Sequence, residues 1–206
     1  MSKKPIIVFE GIEGSGKSHH INKVSNFLDK KKIKYIKIRE PGGSLNSEKI
    51  RRLTLNKKSN FNINTDLLLY LASRSENINL IKKSYKKKII LIDRFIDSTI
   101  AYQHFGMGAD LKIINIINKL LLKNIEINFT FLNVVNKKNL FQRLKKRKSL
   151  NRYDQFDINF YSKVQKGFLK LAKSDKKSYK IIDSNLDIKK NEDLIINQIK
   201  KLIKWI

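Results

Sequence analysis

The chain has 206 residues, of which 41% are hydrophobic and 31% are charged. This length and composition suit one globular domain with a sizeable core, and they exclude a disordered chain or a fibrous repeat. The absence of cysteine excludes a disulfide scaffold, a cysteine-ligated metal and a thiol nucleophile. The apolar stretch Ile6–Phe9 meets Glu10 too early for a signal peptide, and no run is long enough to span a bilayer. We therefore expect a single cytoplasmic domain over residues 1–206 that does not contact membranes.

The net charge of +27 comes mainly from lysine, because only 8 of the 45 basic residues are arginine. The chain also has 31 Ile and 21 Asn but only 4 Ala, the composition that A/T-rich codons produce. The lysines are spread along the chain without interleaved aromatic residues, so they predict solvated surfaces rather than a specific nucleic-acid site. Arginine is then informative, because its planar fork of donors is retained where lysine would not serve.

Short β-branched runs alternate with helical patterns along the whole chain. Five strands are predicted, at Pro5–Glu10, Lys34–Arg39, Lys88–Asp93, Ile127–Val134 and Tyr179–Asp183. Helices are predicted at 18–31, 47–55, 65–84, 97–123, 136–147, 157–173 and 189–205. This alternation predicts an α/β fold, a five-stranded parallel sheet with helices on both faces. The nearly continuous apolar runs of the first and third strands are typical of central strands covered on both sides.

A phosphate-binding loop follows the first strand and opens the first helix, which is the context that this motif requires. It consists of Gly11, Ile12, Glu13, Gly14, Ser15, Gly16, Lys17 and Ser18, matching G-x-x-x-x-G-K-[ST] without a gap. The glycines permit a tight turn that aims backbone N–H groups at phosphate oxygens. We expect Lys17 to reach the β- and γ-phosphates of ATP or GTP, and the Ser18 hydroxyl to bind Mg²⁺.

Asp93 ends the apolar run of the third strand, which puts a carboxylate at the carboxyl edge of the sheet, where ligands bind in open α/β folds. It suits the second acidic element of a phosphate-loop enzyme, holding Mg²⁺ directly or through water. Arg94 follows at once and offers a cation to a phosphoryl group at the same corner.

Three further segments are consistent with either structure or function. Glu40-Pro41-Gly42-Gly43 forms a sharp turn after the second strand, explained equally well by turn chemistry and by substrate contact. Tyr70 and Arg74 share one helical face and could bind a base, although Tyr70 alone is also typical of a core residue. The polar segment at about 145–155, flanked by Arg143, Arg147 and Arg152, is either a solvated loop or a lid over the ATP phosphates.

In combination, these motifs resemble the bacterial thymidylate kinase family of P-loop nucleoside monophosphate kinases over nearly the whole chain. The quoted signatures are Phe9-Glu10-Gly11, Arg39-Glu40-Pro41-Gly42-Gly43, Asp93-Arg94-Phe95, the segment 97–103 (DSTIAYQ) and the segment 151–154 (NRYD). The ordered combination with the Ala-Tyr-Gln segment is far more specific than the phosphate loop alone. The resemblance implies transfer of the γ-phosphoryl group of ATP to dTMP, giving dTDP and ADP, with Mg²⁺ as the cofactor.

The resemblance also assigns an acceptor pocket for dTMP. Its residues would be Glu10, Arg39, Pro41, Tyr70, Arg74, Arg94, Ser98, Thr99, Tyr102 and Gln103. Tyr70 would stack on thymine and Arg74 would hydrogen-bond its exocyclic oxygen. Tyr102 would lie against the sugar and disfavour a ribose 2′-hydroxyl, while Arg94 would hold the dTMP phosphate.

On the donor side, Gly14 occupies the loop position where other family members carry arginine, so lid arginines would supply that charge. The resemblance assigns this role to Arg147 and Arg152, with Arg143 as a helper. The implied catalytic set is then Lys17, Arg94, Arg147, Arg152 and Glu13, with Ser18 and Asp93 at the metal. The resemblance further implies a cis Glu40–Pro41 peptide and a homodimer, for which the helices at 65–84 and 97–123 are candidate interfaces.

Two other classes of function stay open at the level of sequence. The first is a deoxynucleotide or nucleoside kinase with a different acceptor. The second is a basic, nucleic-acid-dependent ATPase, although no further ATPase motif or basic aromatic groove accompanies the phosphate loop. A phosphate-loop protein that binds nucleotide without turnover is a third, weaker possibility.

Overall fold

A computed structural model describes residues 4–146 and 151–203 of the chain. Its five strands are β1 Ile6–Gly11, β2 Tyr35–Arg39, β3 Ile89–Asp93, β4 Phe129–Val134 and β5 Tyr179–Asp183. They form one parallel sheet in the order β2-β3-β1-β4-β5. The predicted five-stranded parallel sheet is confirmed, with each strand within two residues of its predicted bounds.

Helices cover both faces of this sheet. They are α1 Lys17–Lys30, α2 Leu45–Leu55, α3 Ile63–Ser84, α4 Ile96–Thr99, α5 Leu111–Leu121, α6 Lys137–Lys145, α7 Ile158–Ser174 and α8 Ile188–Ile203. Successive strand residues point to opposite faces. Ile7 and Phe9 of β1 therefore pack with α1 and α8, whereas Ile6 and Val8 pack on the side of α3.

Two helices begin earlier than predicted because polar residues cap them. The side chain of Ser44 accepts a hydrogen bond from the Ser47 amide at the start of α2. The side chain of Asn62 accepts one from the Thr65 amide at the start of α3. Each side chain satisfies a backbone donor that has no partner within its helix.

The predicted continuous helix over 97–123 is wrong. The structure has α4, then a π-helical segment Ile100–Gly106, then a break before α5. Gly108 lies in the break at φ +87°, a left-handed conformation that side-chain-bearing residues rarely adopt. Asp110 then caps α5 through its side chain. These two residues stop one helix and start the next within a span whose apolar pattern is otherwise continuous.

The order of the strands positions the functional edge. Because all five strands are parallel, their carboxyl ends lie at one edge of the sheet. β1 lies between β3 and β4, so the chain crosses to opposite sides of it, and ligands bind at such a switch point in open α/β sheets. The phosphate loop leaves β1 at this point, and Asp93 ends the neighbouring strand.

The π-helical segment packs so closely on α7 that glycine is required at the contact. A Cβ added to Gly167 would lie 2.5 Å from Cδ2 of Phe105 and 2.9 Å from its Cβ. We expect Gly167→Ala to lower the free energy of unfolding by about 1–3 kcal/mol, as overpacking does, despite the better helix propensity of alanine. Urea unfolding followed by circular dichroism measures this. The exposed neighbour Lys166→Ala is the control, and equal stability of the two variants would contradict the close packing.

Candidate active site

The phosphate loop runs from Gly11 at the end of β1 into the first turn of α1. Gly11 has φ +136°, and a Cβ there would collide with the carbonyl oxygen of Asn133 on β4. Gly16 occupies the N-cap of α1 and gives no side-chain hydrogen bond to it. The first N–H groups of α1 are thus presented by backbone alone, which is the arrangement that binds anions at a helix N-terminus.

The side chain of Lys17 curls over this loop. Its Nζ atom donates to the carbonyl oxygens of Gly11 and Ile12, both at 2.8 Å. Burial, together with the nearby Arg94 guanidinium, lowers the pKa of Lys17 to about 8. An anionic ligand beside this buried ammonium would favour its charged form, because a nearby opposite charge compensates for the lost solvation.

Arg94 directly follows β3 and joins that strand to the phosphate loop. Its Nη1 donates to the Gly11 carbonyl oxygen at 2.9 Å, and its Nη2 forms an ion pair with Glu13 at 2.8 Å. Tyr102 donates its hydroxyl to the other Glu13 oxygen and packs its ring on the guanidinium, 5.0 Å from Cζ to the ring centroid. Burial would raise the pKa of Glu13, but Arg94 beside it holds that pKa below its ordinary value.

The conformation of Arg94 is itself strained. Its φ is +65°, in the left-handed region, which costs a non-glycine residue of order 1 kcal/mol or more. The strain is offset by a backbone hydrogen bond from its amide to Phe9 on β1 at 3.0 Å. The turn therefore holds the guanidinium over the loop, where only 17% of the Arg94 side-chain surface is exposed to solvent.

Asp93 and Ser18 form a site that fits Mg²⁺. Among the described residues, Asp93 Oδ1 is buried and has no hydrogen-bond partner, and both side chains line one cavity. No group of three or more acidic or histidine side chains that could hold a metal occurs in 4–146 or 151–203. This agrees with Mg²⁺ chemistry, because that ion is commonly held by one or two protein oxygens together with substrate phosphates.

A cavity of about 370 Å³ opens from the phosphate loop along the carboxyl edge of the sheet. The predicted residues in its lining are Glu13, Gly14, Lys17, Ser18, Pro41, Tyr70, Asp93, Arg94, Ser98, Tyr102 and Gln103. The structure thus brings predicted donor-side and acceptor-side residues to one continuous cavity. Both cationic side chains and aromatic rings line it, and Arg94 and Tyr102 are in direct contact.

Several residues outside the predicted set of individual site residues complete this lining. They are Glu40, Arg51, Leu55, Asn151 and Tyr153. Arg51 is fixed by donating Nη1 to the carbonyl oxygen of Pro41 at 2.6 Å. The signal that could have found Arg51 in the sequence is that it is an arginine in a chain that mostly uses lysine. Glu40 and Pro41 join through a cis peptide bond, as the resemblance implies.

Glu10 was expected to contact the acceptor, and the structure places it elsewhere. It is fully buried at the end of β1, outside the cavity lining. Its carboxylate accepts from the amide of Phe95 at 2.7 Å and from the hydroxyl of Ser98 at 2.5 Å. Burial and the neighbouring Asp97 raise the pKa of Glu10 to about 7. Glu10 therefore holds the turn that carries Arg94.

Arg74 and Thr99 also lie beneath the cavity rather than in its lining. Arg74 is 1% exposed and pairs with Glu40 at 2.8 Å. It donates Nη1 to Asn118 Oδ1 at 2.7 Å and Nη2 to Thr99 Oγ1 at 2.8 Å. In this structure Arg74 supports the floor of the cavity, and the expected contact with a base stays a prediction.

Arg39 lies outside the lining of this cavity. It is exposed and pairs with Glu48 at 2.9 Å, lining a neighbouring cavity of about 400 Å³ that shares Ser18 and Asp93 with the first. The expected contact between Arg39 and the acceptor stays a prediction. The half-buried carboxylate of Glu48 on α2 binds its guanidinium.

The three predicted lid arginines have different surroundings. Arg143 donates to the carbonyl oxygens of Gly14 at 2.9 Å and Ser184 at 2.7 Å, so it reaches the donor side of the loop. Arg152 forms an ion pair with Asp66 of α3 and lies outside the lining of the first cavity. Arg147 lies outside the described residues. The described part of the predicted lid includes a 3₁₀ turn at Arg152–Gln155, which the sequence did not predict.

Comparison with known proteins identifies the family. The model of the thymidylate kinase family matches residues 9–195. The chain is 37% identical to the thymidylate kinase of Sulfurihydrogenibium sp. (strain YO3AOP1), over 95% of this chain and 96% of the relative. The chain belongs to the thymidylate kinase family. It is also 38% identical to the thymidylate kinase of Mycoplasma capricolum subsp. capricolum, over 96% of this chain and 93% of that protein.

A solved structure extends the agreement to the fold of this family. The crystal structure of thymidylate kinase from Ehrlichia chaffeensis superposes with a TM-score of 0.78 at 30% identity, covering 97% of this chain and 99% of that one. The predicted P-loop nucleoside monophosphate kinase type is therefore confirmed. No helix within residues 4–146 and 151–203 is both long and apolar enough to cross a membrane.

The lowered pKa of Lys17 predicts a pH dependence of phosphate binding. Below pH 8 the side chain is charged and can pair with an anion, and as pH rises through about 8 the charge is lost. We expect the affinity for a non-hydrolysable nucleoside triphosphate to fall above pH 8, and calorimetric titration between pH 7 and 9.5 measures it. Lys17→Met, neutral throughout, is the control and should bind weakly without this step. A wild-type affinity that is flat across pH 8 would contradict the assignment.

Proposed function

We propose that this chain transfers the γ-phosphoryl group of ATP to dTMP, forming dTDP and ADP. The observation that carries the proposal is the single cavity that joins the phosphate loop to an aromatic wall through Arg94. Two nucleotides lying phosphate to phosphate in such a cavity would bring donor and acceptor oxygens together. Membership of the thymidylate kinase family supports thymine as the acceptor base.

The acceptor end is proposed to bind the nucleoside through rings and fixed dipoles. Tyr70 lines the cavity and meets the Tyr153 ring edge-on, at 6.1 Å between centroids. Burial, with Asp66 nearby, raises the pKa of Tyr70 far above its ordinary value, so its ring stays neutral and can stack on a base. Tyr102, held by Glu13, would lie against the sugar and leave little room for a 2′-hydroxyl.

The middle of the cavity is proposed to neutralise the transferring group. Lys17, Arg94 and Arg51 line this part and supply fixed positive charge. Phosphoryl transfer depends mostly on positioning and charge stabilisation, and the acceptor is itself an anion, so no strong general base is required. Ser18 and Asp93 would hold Mg²⁺, which when bound neutralises charge between the β- and γ-phosphates.

On the donor side, Arg143 is proposed to contact ATP from the flank of the loop. A second depression there is lined by Gly14, Gly16, Arg143 and Ser184. The lid over about 145–155, with Arg147 and Arg152, remains a proposal that completes this side. No specific nucleic-acid partner is included, because the lysines are dispersed.

A cytoplasmic homodimer completes the proposal. Exposed apolar side chains on α3 and α5 support the dimer, because an exposed apolar patch is typical of a protein–protein interface. They are Leu68 at 55% exposure, Ile116 at 68% and Leu120 at 61%. Sedimentation of the purified chain against protein concentration measures the assembly directly.

A panel of acceptors tests the reaction. We expect ADP release from ATP and Mg²⁺ to be fastest with dTMP and at least about tenfold slower, in kcat/KM, with dCMP, dGMP and AMP. The acceptor dUMP, which lacks only the methyl group of thymine, should also be about tenfold slower, since one methyl group is worth about 10-fold or more in a hydrophobic pocket. ATP consumption that dTMP leaves unchanged, or that DNA or RNA stimulates instead, would refute the proposal.

Substitution of Arg94 is expected to cause a large loss of kcat. Arg94→Ala removes the charge above the loop and should lower kcat by about 10³–10⁵-fold, the range seen for arginines that stabilise phosphoryl transfer. Steady-state kinetics with dTMP and ATP measure it. Arg52→Ala, which changes an exposed arginine on α2 outside the cavity, should retain the wild-type kcat. Near-normal turnover by Arg94→Ala would remove Arg94 from the mechanism.

A further inference from the structure

A buried carboxylate on α3 connects two walls of the acceptor cavity. Asp66 lies one helical turn before Tyr70 and is 2% exposed. Its Oδ2 accepts from Nε2 of Gln103 and from the hydroxyl of Tyr153, both at 3.0 Å. Its Oδ1 forms an ion pair with Arg152. One side chain therefore holds partners from the π-helical segment and from the 3₁₀ turn.

Two of these partners line the cavity, so Asp66 controls a surface that it does not itself form. Gln103 and Tyr153 are both in the lining, whereas Asp66 is not. A carboxylate only accepts hydrogen bonds, so Gln103 must turn its NH₂ group toward Asp66. The Oε1 atom of Gln103 is consequently the end left over, and it is buried without a hydrogen-bond partner among the residues described. The charge on Asp66 thus selects which end of the amide is available to a ligand.

Arg152 explains how Asp66 can carry charge at this depth. An isolated buried carboxylate would be unstable, and the guanidinium compensates it. Arg152 is itself held, with its Cζ atom 5.4 Å from the centroid of the Phe61 ring and 5.2 Å from that of Tyr153. Asp66 and Arg152 both line a further cavity of about 530 Å³, whereas their partners Gln103 and Tyr153 line the acceptor cavity.

We propose that Asp66 is a positioning residue for acceptor recognition, which orients the Gln103 amide and the Tyr153 ring and whose charge is compensated by Arg152. This inference rests on the proposed function, since it names a determinant of the acceptor site. With Oε1 of Gln103 as the acceptor, the cavity favours a base that carries a ring N–H donor, such as thymine. Cytosine is disfavoured because its corresponding ring nitrogen is an acceptor. The charge of Asp66 would thereby contribute to the choice of pyrimidine.

The test compares four proteins: the wild type, Asp66→Asn, the double variant Asp66→Asn with Arg152→Gln, and the surface control Glu192→Gln. Asparagine keeps the size of Asp66 but offers a donor in place of one oxygen, so the Gln103 amide can reverse. The double variant removes both charges, so that no unpaired charge is buried and the fold is protected. Glu192 is partly buried and pairs with the exposed Lys23 and His19, outside the acceptor cavity.

We expect both Asp66 variants to raise KM for dTMP by about tenfold, the effect of losing a well-placed hydrogen bond. KM for ATP should stay within about twofold of wild type in the single variant Asp66→Asn, which leaves Arg152 in place. The ratio of kcat/KM for dTMP to that for dCMP should fall in both variants by a similar factor. Glu192→Gln should match the wild type in every constant. The loss of kcat that removal of Arg152 would cause does not enter these KM and selectivity readouts.

A merely structural role for Asp66 predicts a different result. It would lower the melting temperature and change KM for both substrates together, with the dTMP to dCMP ratio unchanged. That pattern, or a dTMP KM within about twofold of wild type in the folded double variant, would overturn the inference. Wild type that does not phosphorylate dTMP would instead refute the proposed function, and the same four proteins then test Asp66 with the monophosphate that the wild type accepts.

Discussion

The junction between the carboxyl ends of β1 and β3 is the constraint on which the site depends. Arg94 leaves β3 in a left-handed conformation, and its guanidinium reaches back to Gly11 and Glu13 of the phosphate loop. Beneath it, the buried Glu10 carboxylate accepts from the amides of Phe95 and Ser98. The parallel register of the two strands brings these groups together, so the geometry of the site is a direct result of the sheet.

Buried charge in this protein is organised as arginine–carboxylate pairs around the cavity, while its lysines lie mainly on the surface. Arg74 pairs with Glu40, Arg94 with Glu13 and Arg152 with Asp66. A guanidinium keeps its charge at any ordinary pH and offers donors in several directions, so one residue can satisfy several acceptors. This explains why a chain so biased toward lysine retains arginine here, and why the net charge of +27 says little about its ligand.

Sequence alone predicted the features that are local in the chain. The strands and the phosphate loop depend on short apolar runs and on one continuous motif, so their positions were recovered to within about two residues. The roles of Glu10, Arg74 and Asp66 depend on partners 21 to 88 positions away, such as Phe95 for Arg74 and Ser98 for Glu10. No spacing rule shows such pairs in a single sequence. The prediction of a continuous helix over 97–123 failed for a different reason. Apolar residues continue on both sides of Gly108, so the sequence pattern does not show the turn there.

The pairing of Glu13 links the geometry of the site to its proposed chemistry. Glu13 accepts from both Arg94 and Tyr102, so the guanidinium and the phenol are fixed before any nucleotide arrives. When a phosphate binds at Arg94 under the proposed function, the guanidinium exchanges the Glu13 carboxylate for the phosphate as its anionic partner. The phosphate does not have to order a free side chain. Little side-chain entropy is lost in such an exchange, because the rotamers of Arg94 and Tyr102 are already restricted. The strain at Arg94 therefore serves preorganisation, since the same backbone conformation that costs stability keeps the cation beside the phosphate loop.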